Sequence, residues 1–341
     1  MPDMTRSTRT LLALLHDGLP GPTLDVGSDQ GAVALETGGT YVHVDLTACE
    51  GARAAGAASV IHTDILPAGP FGTIVFDADD YEPALAAEAV AQTAARLAPG
   101  GVLLTTARRT AVEACFENVE EHGEALVARS PRPGVVPEPW PSYTLAFGEA
   151  QFQVQTAPGV FSPRGLDEGT RVMLGCIDAS PGARFLDLGC GAGVVSRIAS
   201  EVWGCNVTAV DVNARALRLT NLNAPSAEAI ASDGFRHLGD RQFDIIASNP
   251  PYHTDFAVAK AFIEGAFRHL VMGGTLYLVV KRADWYTQKV RSVFGGMRVV
   301  QENDYTVVIA QKRPPRPDKP APAAQATTRK HAKRLARGGK R

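Results

Sequence analysis

Residues 243–252 read Phe-Asp-Ile-Ile-Ala-Ser-Asn-Pro-Pro-Tyr, an apolar run that ends in a carboxamide, two imino acids and a phenol. An amino nitrogen conjugated to a ring or carbonyl is a poor nucleophile because its lone pair is delocalised. It can attack an electrophilic methyl group when acceptors grip both its hydrogens, and Asn249 Oδ1 and the Pro250 carbonyl can be that pair. Prolines at 250 and 251 supply no N–H and fix φ, which stiffens the turn and leaves carbonyls pointing into the site. Tyr252 adds an aromatic face on which a planar base can stack. Such a transfer depends on holding nitrogen near carbon and needs no strong base. A proline turn with an Asn cap is the plain alternative, and the order of the neighbouring motifs argues against it.

The electrophile has a matching site. Gly189, Gly191 and Gly193 follow the apolar run Arg184–Leu188 and precede a helical stretch, Val194–Val202. Without side chains the backbone can approach a ligand closely, and the N–H groups at the helix start attract a carboxylate or phosphate. Dinucleotide loops are similar, but their pattern wants a third Gly or Ala where Val194 stands. Asp187 ends the first strand. Asp211, 24 residues later, ends the next, where a carboxylate can accept from both hydroxyls of a ribose. Asp233, beyond a third strand, can meet an adenine amine. Each aspartate alone is as well explained as a helix cap; in series at successive strand ends they fit S-adenosylmethionine.

These residues need strands ending side by side. Short β-branched runs such as Phe243–Ala247 alternate with helical stretches such as Ala257–Leu270, the pattern of a doubly wound α/β sheet. It is written twice. Leu24–Gly31 parallels Leu186–Gly193, Val42–Asp45 parallels Thr208–Asp211, Phe71–Asp80 parallels Phe243–Tyr252, and Ser142–Phe147 echoes Asp304–Ile309. The last two strands of each half should form an antiparallel hairpin. In the first copy Asp29 replaces the middle glycine and Asp77-Ala78-Asp79-Asp80 replaces the tetrapeptide, so that copy is expected to bind no cofactor. The expected division is a degenerate domain over 1–149, a catalytic domain over 150–313 and a basic, disordered tail over 314–341.

The chain of 341 residues has a net charge of −2, but positions 312–341 carry eleven Lys/Arg against one acid, leaving a body near −12. A basic tail on an acidic body points to contact with a polyanion. Five scattered cysteines without a C-x-x-C pair suggest neither a zinc site nor disulfides. No run is long enough to span a membrane and no secretion signal opens the chain, so a cytoplasmic protein is expected.

The second half resembles the ribosomal RNA small-subunit methyltransferase C type, and beside it the G type that acts on large-subunit RNA. The resemblance rests on Pro158–Ser162, Gly165-Leu166-Asp167, Leu186–Val194 and Ser248–Pro251, and covers residues 152–313; residues 1–149 share architecture only. It implies class I S-adenosylmethionine-dependent transfer of methyl to the exocyclic N2 of a guanine in ribosomal RNA, 16S in the first instance and large-subunit RNA as the alternative. It also implies that Phe161 and Asp167 lie beside the cofactor and that the amino-terminal domain has lost cofactor binding. Tyr252, where the family more often has Phe, and Lys281, where it has Asn, depart from the pattern. The expected partner is ribosomal RNA or the small subunit, met by a monomer. A glutamine N-methyltransferase acting on release factors could use the same tetrapeptide, and a non-catalytic RNA-binding protein is the further alternative.

Overall fold

A computed structural model of the chain describes residues 4–15, 18–250 and 256–314. In the first half α1 (Arg6–Ala13) leads into β1 (Thr23–Val26), α2 (Ala32–Thr37), β2 (Thr40–His43), α3 (Leu46–Ala55) and β3 (Ser59–His62). Then come β4 (Phe71–Phe76), α4 (Pro83–Ala94), β5 (Leu97–Thr105), α5 (Arg109–Cys115), β6 (Phe116–His122) and β7 (Ala125–Pro131). A hairpin of β8 (Ser142–Phe147) and β9 (Ala150–Gln155) connects to the second half. There the order is α6 (Glu168–Cys176), β10 (Arg184–Leu188), α7 (Val194–Arg197), β11 (Asn206–Asp211), α8 (Ala214–Asn223), β12 (Glu228–Ala231) and β13 (Phe243–Ser248). It closes with α9 (Phe256–His269), β14 (Leu270–Val280), α10 (Ala283–Phe294), β15 (Arg298–Glu302) and β16 (Tyr305–Gln311).

The two seven-stranded sheets have the same order, β3-β2-β1-β4-β5-β7-β6 and β12-β11-β10-β13-β14-β16-β15. In each, five strands run parallel and an antiparallel hairpin completes the sheet, its inner strand, β7 or β16, running against both of its neighbours, as the duplicated pattern predicts. Parallel strands buried on both faces need apolar residues throughout. Accordingly Phe185 and Ile245 pack in the core on one face of the second sheet while Leu186 and Ile246 pack in the core on the other. Helices start where short polar side chains satisfy free N–H groups: Asp45 caps α3, Asp167 caps α6 and Asn213 caps α8.

One pairing of the repeats is corrected. The first-copy counterpart of β16 is β7, and Ser142–Phe147 forms the separate hairpin with β9. Ser142–Phe147 places Tyr143, Leu145 and Phe147 at alternate positions while β7 opens on the apolar run 125–128, and pattern alone cannot choose the sheet a strand joins. Leu145 and Val154, one from each hairpin strand, are buried in the core of the second half, with Glu149 in the turn between them.

The copies meet through equivalent strand ends. Leu46 N donates to Val212 O (2.9 Å), Ala214 N donates to Val44 O (2.7 Å), and Asp45 bridges Asn213. His62 Nε2 lies 2.9 Å from both Val44 O and Val212 O. Arg218 pairs with Asp64 (3.1 Å) and Arg236 with Glu50 (2.6 Å) across the same seam. Among the described residues no helix is long and apolar enough to cross a membrane, and no group of His, Cys, Asp or Glu could hold a metal ion. The basic tail, from position 315 onward, lies outside the described residues.

Candidate active site

The glycine loop stands where β10 turns into α7. Gly189, Gly191 and Gly193 have φ of 79°, 54° and 76°, in the left-handed region that glycine enters without steric cost. Their surroundings differ. A Cβ on Gly193 would come within 2.8 Å of the Thr220 backbone, so this glycine serves packing against α8. Among the described residues, a Cβ on Gly189 would meet nothing within 4 Å, and one on Gly191 would reach only Val160 Cγ1 at 4.0 Å. Gly189 and Gly191 therefore border open space, the condition for a ligand to lie against the backbone.

Asp187 has a different place from the one its strand-end position suggested. It is 3% exposed, and its Oδ2 accepts from Ser196 N (3.0 Å) and Ser196 Oγ (2.6 Å), pinning α7 beneath the loop. Burial pushes its carboxyl up from 3.8 to about 6, against the lowering effect of those two bonds. A raised pKa means that the folded state holds the proton more tightly, a stabilisation present below pH 3.8 and lost as pH rises through 6. Asp187→Asn keeps an acceptor for Ser196 and carries no charge. Compared by urea unfolding, it should gain on the wild type by about 2 kcal/mol between pH 4.5 and 7.5, since a tenfold difference in proton affinity between folded and unfolded states is worth roughly 1.4 kcal/mol. A stability difference that does not change with pH would contradict this reading of the buried carboxyl.

Asp211 faces the loop. Its Oδ2 accepts from Gly191 N (3.0 Å) and its Oδ1 from Asn213 N (2.9 Å), while burial raises its pKa. Part of its acceptor capacity thus shapes the loop. Asp233, exposed in the turn after β12, stands apart from these contacts.

Asn249 directly follows β13, which Ser248 Oγ ties to β10 by donating to Leu188 O (2.7 Å). The Asn249 carboxamide donates through Nδ2 to Asp167 Oδ2 (3.0 Å) and Thr170 Oγ1 (2.9 Å). A carboxylate can only accept, so this contact fixes the amide orientation and defines Oδ1 as the acceptor end. Asp167 is itself held, because Thr170 N donates to the same Oδ2 (2.9 Å). Pro250 is buried beside it, whereas Tyr252 lies outside the described residues. The lead-in segment passes over the loop: Asn213 Nδ2 donates to Gly159 O (3.1 Å) and Arg215 Nη1 to Pro158 O (3.1 Å). Val160 is the side chain brought against Gly191, and Phe161 next to it is 54% exposed.

Sequence pattern did not point to Thr170, Ser196 or Asn213. A signal for Thr170 existed, since Thr170 precedes Asp187 by 17 residues and Thr8 precedes Asp25 by the same number. In the first copy Thr8 Oγ1 and Ser7 Oγ donate to Asp77, the counterpart of Asn249, at 2.6 and 2.9 Å. The constellation survives there with its polarity reversed. Asp29 accepts from Thr5 N, and its own N–H donates to Thr8 Oγ1 at 3.1 Å. The space over Gly27 is taken as well: a Cβ there would meet Tyr81 Cε2 at 3.1 Å, and Tyr81 packs edge-on against Phe76 with centroids 5.0 Å apart. A carboxylate at 29 is thus joined by an aromatic ring over Gly27, whereas among the described residues nothing comes within 4 Å of a Cβ on Gly189.

A family profile described as the methyltransferase small domain matches residues 151–310. A ribosomal RNA small subunit methyltransferase C from Shewanella amazonensis is 34% identical over 202 residues, an alignment spanning 56% of this chain and 58% of that protein. One of the same name from Pseudomonas paraeruginosa is 30% identical over 248 residues, covering 66% of this chain and 74% of the relative. Among solved structures, a 16S rRNA N2 methyltransferase from T. thermophilus, determined with AdoMet and guanosine, matches with a TM-score of 0.77 at 21% identity. That match covers 91% of this chain and 92% of the other, and it extends the shared fold across both halves.

Proposed function

We infer that this chain, which belongs to the ribosomal RNA small subunit methyltransferase C family, transfers a methyl group from S-adenosylmethionine to the exocyclic N2 of a guanine in small-subunit ribosomal RNA. The observation that carries this reading is Asn249, oriented by Asp167 and Thr170 so that its acceptor end is defined, on a strand tied to the one that feeds an open glycine loop.

The residues fit the cofactor. Gly189 and Gly191 leave space that a side chain would fill, Asp211 stands beside Gly191 to receive ribose hydroxyls, and Val160 and Phe161 lie along the lead-in. When bound, the cofactor supplies a sulfonium methyl as electrophile. The protein's part is to orient: Asn249 Oδ1 and the Pro250 carbonyl take the two amino hydrogens of guanine, which points the nitrogen lone pair out of the ring plane. Tyr252 is assigned the stacking face and Asp233 the adenine side. A guanine in a helix must be turned out of its stack to reach this site. We take the catalytic body to begin with the hairpin at Ser142, ahead of Glu149, because both hairpin strands pack in the second core. We also take the protein to act as a monomer, its two copies being paired within one chain.

Purified protein incubated with labelled cofactor and either ribosomal subunits or release factors tests the substrate class. Label is expected in small-subunit RNA; label confined to protein would overturn the RNA reading and favour a glutamine amide.

A further inference from the structure

We propose that the degenerate copy positions the cofactor site of the other, through Glu88 and Leu85 on α4 acting on Arg215 and the lead-in residues Pro158 and Gly159. Arg215 is 1% exposed and lies two residues after the α8 cap. Its Nη1 and Nη2 donate to Glu88 Oε2 and Oε1, both at 2.8 Å, a two-point grip from one copy to the other. The same Nη1 also donates to Pro158 O at 3.1 Å. Trp140, from the proline-rich stretch between the copies, donates its indole N–H to Glu88 Oε2 (3.2 Å) and lies under the Arg215 guanidinium, 5.2 Å from ring centre to Cζ.

A second contact comes from the same helix. Gly159 has φ of 76°, and a Cβ there would sit 2.6 Å from Leu85 Cδ2. So α4 backs the lead-in sterically one turn from where it holds Arg215. A guanidinium clamped at two points by a carboxylate has little freedom to swing, so the second N–H of Nη1 is delivered to Pro158 O in one direction. Val160, two residues further on, is thereby set over Gly191. The charge is costly to bury, and breaking such a pair leaves the other partner uncompensated. An arrangement of this kind gives a copy that binds no cofactor a continuing role in cofactor binding.

This inference rests on S-adenosylmethionine being the ligand of the glycine loop, and the test separates the two. Titration calorimetry with S-adenosylmethionine is run on the full chain and on Glu88→Gln, Trp140→Phe and Glu50→Gln, with KM and kcat measured on small subunits. Glu50 pairs with Arg236 and His237 across the same seam, away from the Glu88 grip, whereas Asp64 lies 3.6 Å from Arg215 Nε and belongs to the cluster under test. Glu88→Gln is expected to weaken cofactor binding about tenfold and to raise KM for the cofactor in step, with kcat at saturation within twofold. Trp140→Phe, the milder change, should weaken binding about threefold, and Glu50→Gln should leave affinity unmoved. A wild type that does not bind the cofactor sinks the underlying reading. Wild-type affinity in folded Glu88→Gln, or in Trp140→Phe should the first not fold, overturns the positioning role. Equal loss of affinity in Glu50→Gln would also overturn it, by showing a general effect of the seam.

Discussion

Asn249→Ala is expected to lower kcat by about a thousandfold while the affinity for S-adenosylmethionine changes by less than threefold. The size follows from what the side chain does. Removing one preorganised hydrogen-bonding group from a reacting centre typically costs about a hundred- to a thousandfold in rate, and here the lost group also fixes the geometry of attack. The small effect on the cofactor follows from the contacts, since the loop is shaped by Asp187 and Asp211 rather than by Asn249. Asn249→Asp is the sharper form of the experiment. It would install the residue found at Asp77, but Asp167 and Thr170 are arranged to receive N–H donors. A carboxylate there faces another carboxylate, so Asn249→Asp should be as inactive as the alanine variant and less stable in thermal unfolding. Measured by methyl incorporation into small subunits, activity within tenfold of wild type in either variant would remove Asn249 from the mechanism.

Gly191→Asp should abolish cofactor binding, by more than a hundredfold in Kd, in a protein that stays folded. This places at 191 the residue that stands at Asp29. Position 191 has φ of 54°, a value that Asp and Asn tolerate better than other side chains, and among the described residues a Cβ there would reach only Val160 Cγ1 at 4.0 Å. The fold should therefore accept the change, and the loss should come from a carboxylate set against the anionic end of the ligand. The reverse change, Asp29→Gly, is expected to create no second binding site, because Tyr81 still fills the space over Gly27. Calorimetry decides both. Retained binding in Gly191→Asp would show that the ligand does not lie along this loop, and a second equivalent of ligand bound by Asp29→Gly would show that Tyr81 is no barrier.

How much of this was legible in the sequence depended on whether a residue acts through backbone pattern or through a distant partner. The duplicated sheets were legible because strand and helix periods repeat in step, from Leu24 and Leu186 to Phe71 and Phe243. The strand ends carrying Gly189, Asp211 and Asn249 followed from that order. Ser142–Phe147 was misassigned as a sheet strand because its alternation suits any half-buried strand, and pairing partners are set by the tertiary fold. Asp187 read as a ligand contact because a strand-end aspartate looks the same whether it points up or down; its 3% exposure, and the bonds from Ser196, show that it points down. Thr170 could have been found from its repeat, Thr8, but Glu88 and Arg215 were out of reach for a related reason. Glu88 and Arg215 stand 127 residues apart, and nothing in either neighbourhood announces the other.

Guanine methylation by Asn249 is tested most directly by the modified-nucleoside content of 16S ribosomal RNA from cells lacking this protein, complemented with either wild type or Asn249→Ala. N2-methylguanosine at one position is expected to disappear in the deletion, return with the wild type and stay absent with Asn249→Ala. An unchanged nucleoside profile in the deletion, or full restoration by Asn249→Ala, would contradict that assignment.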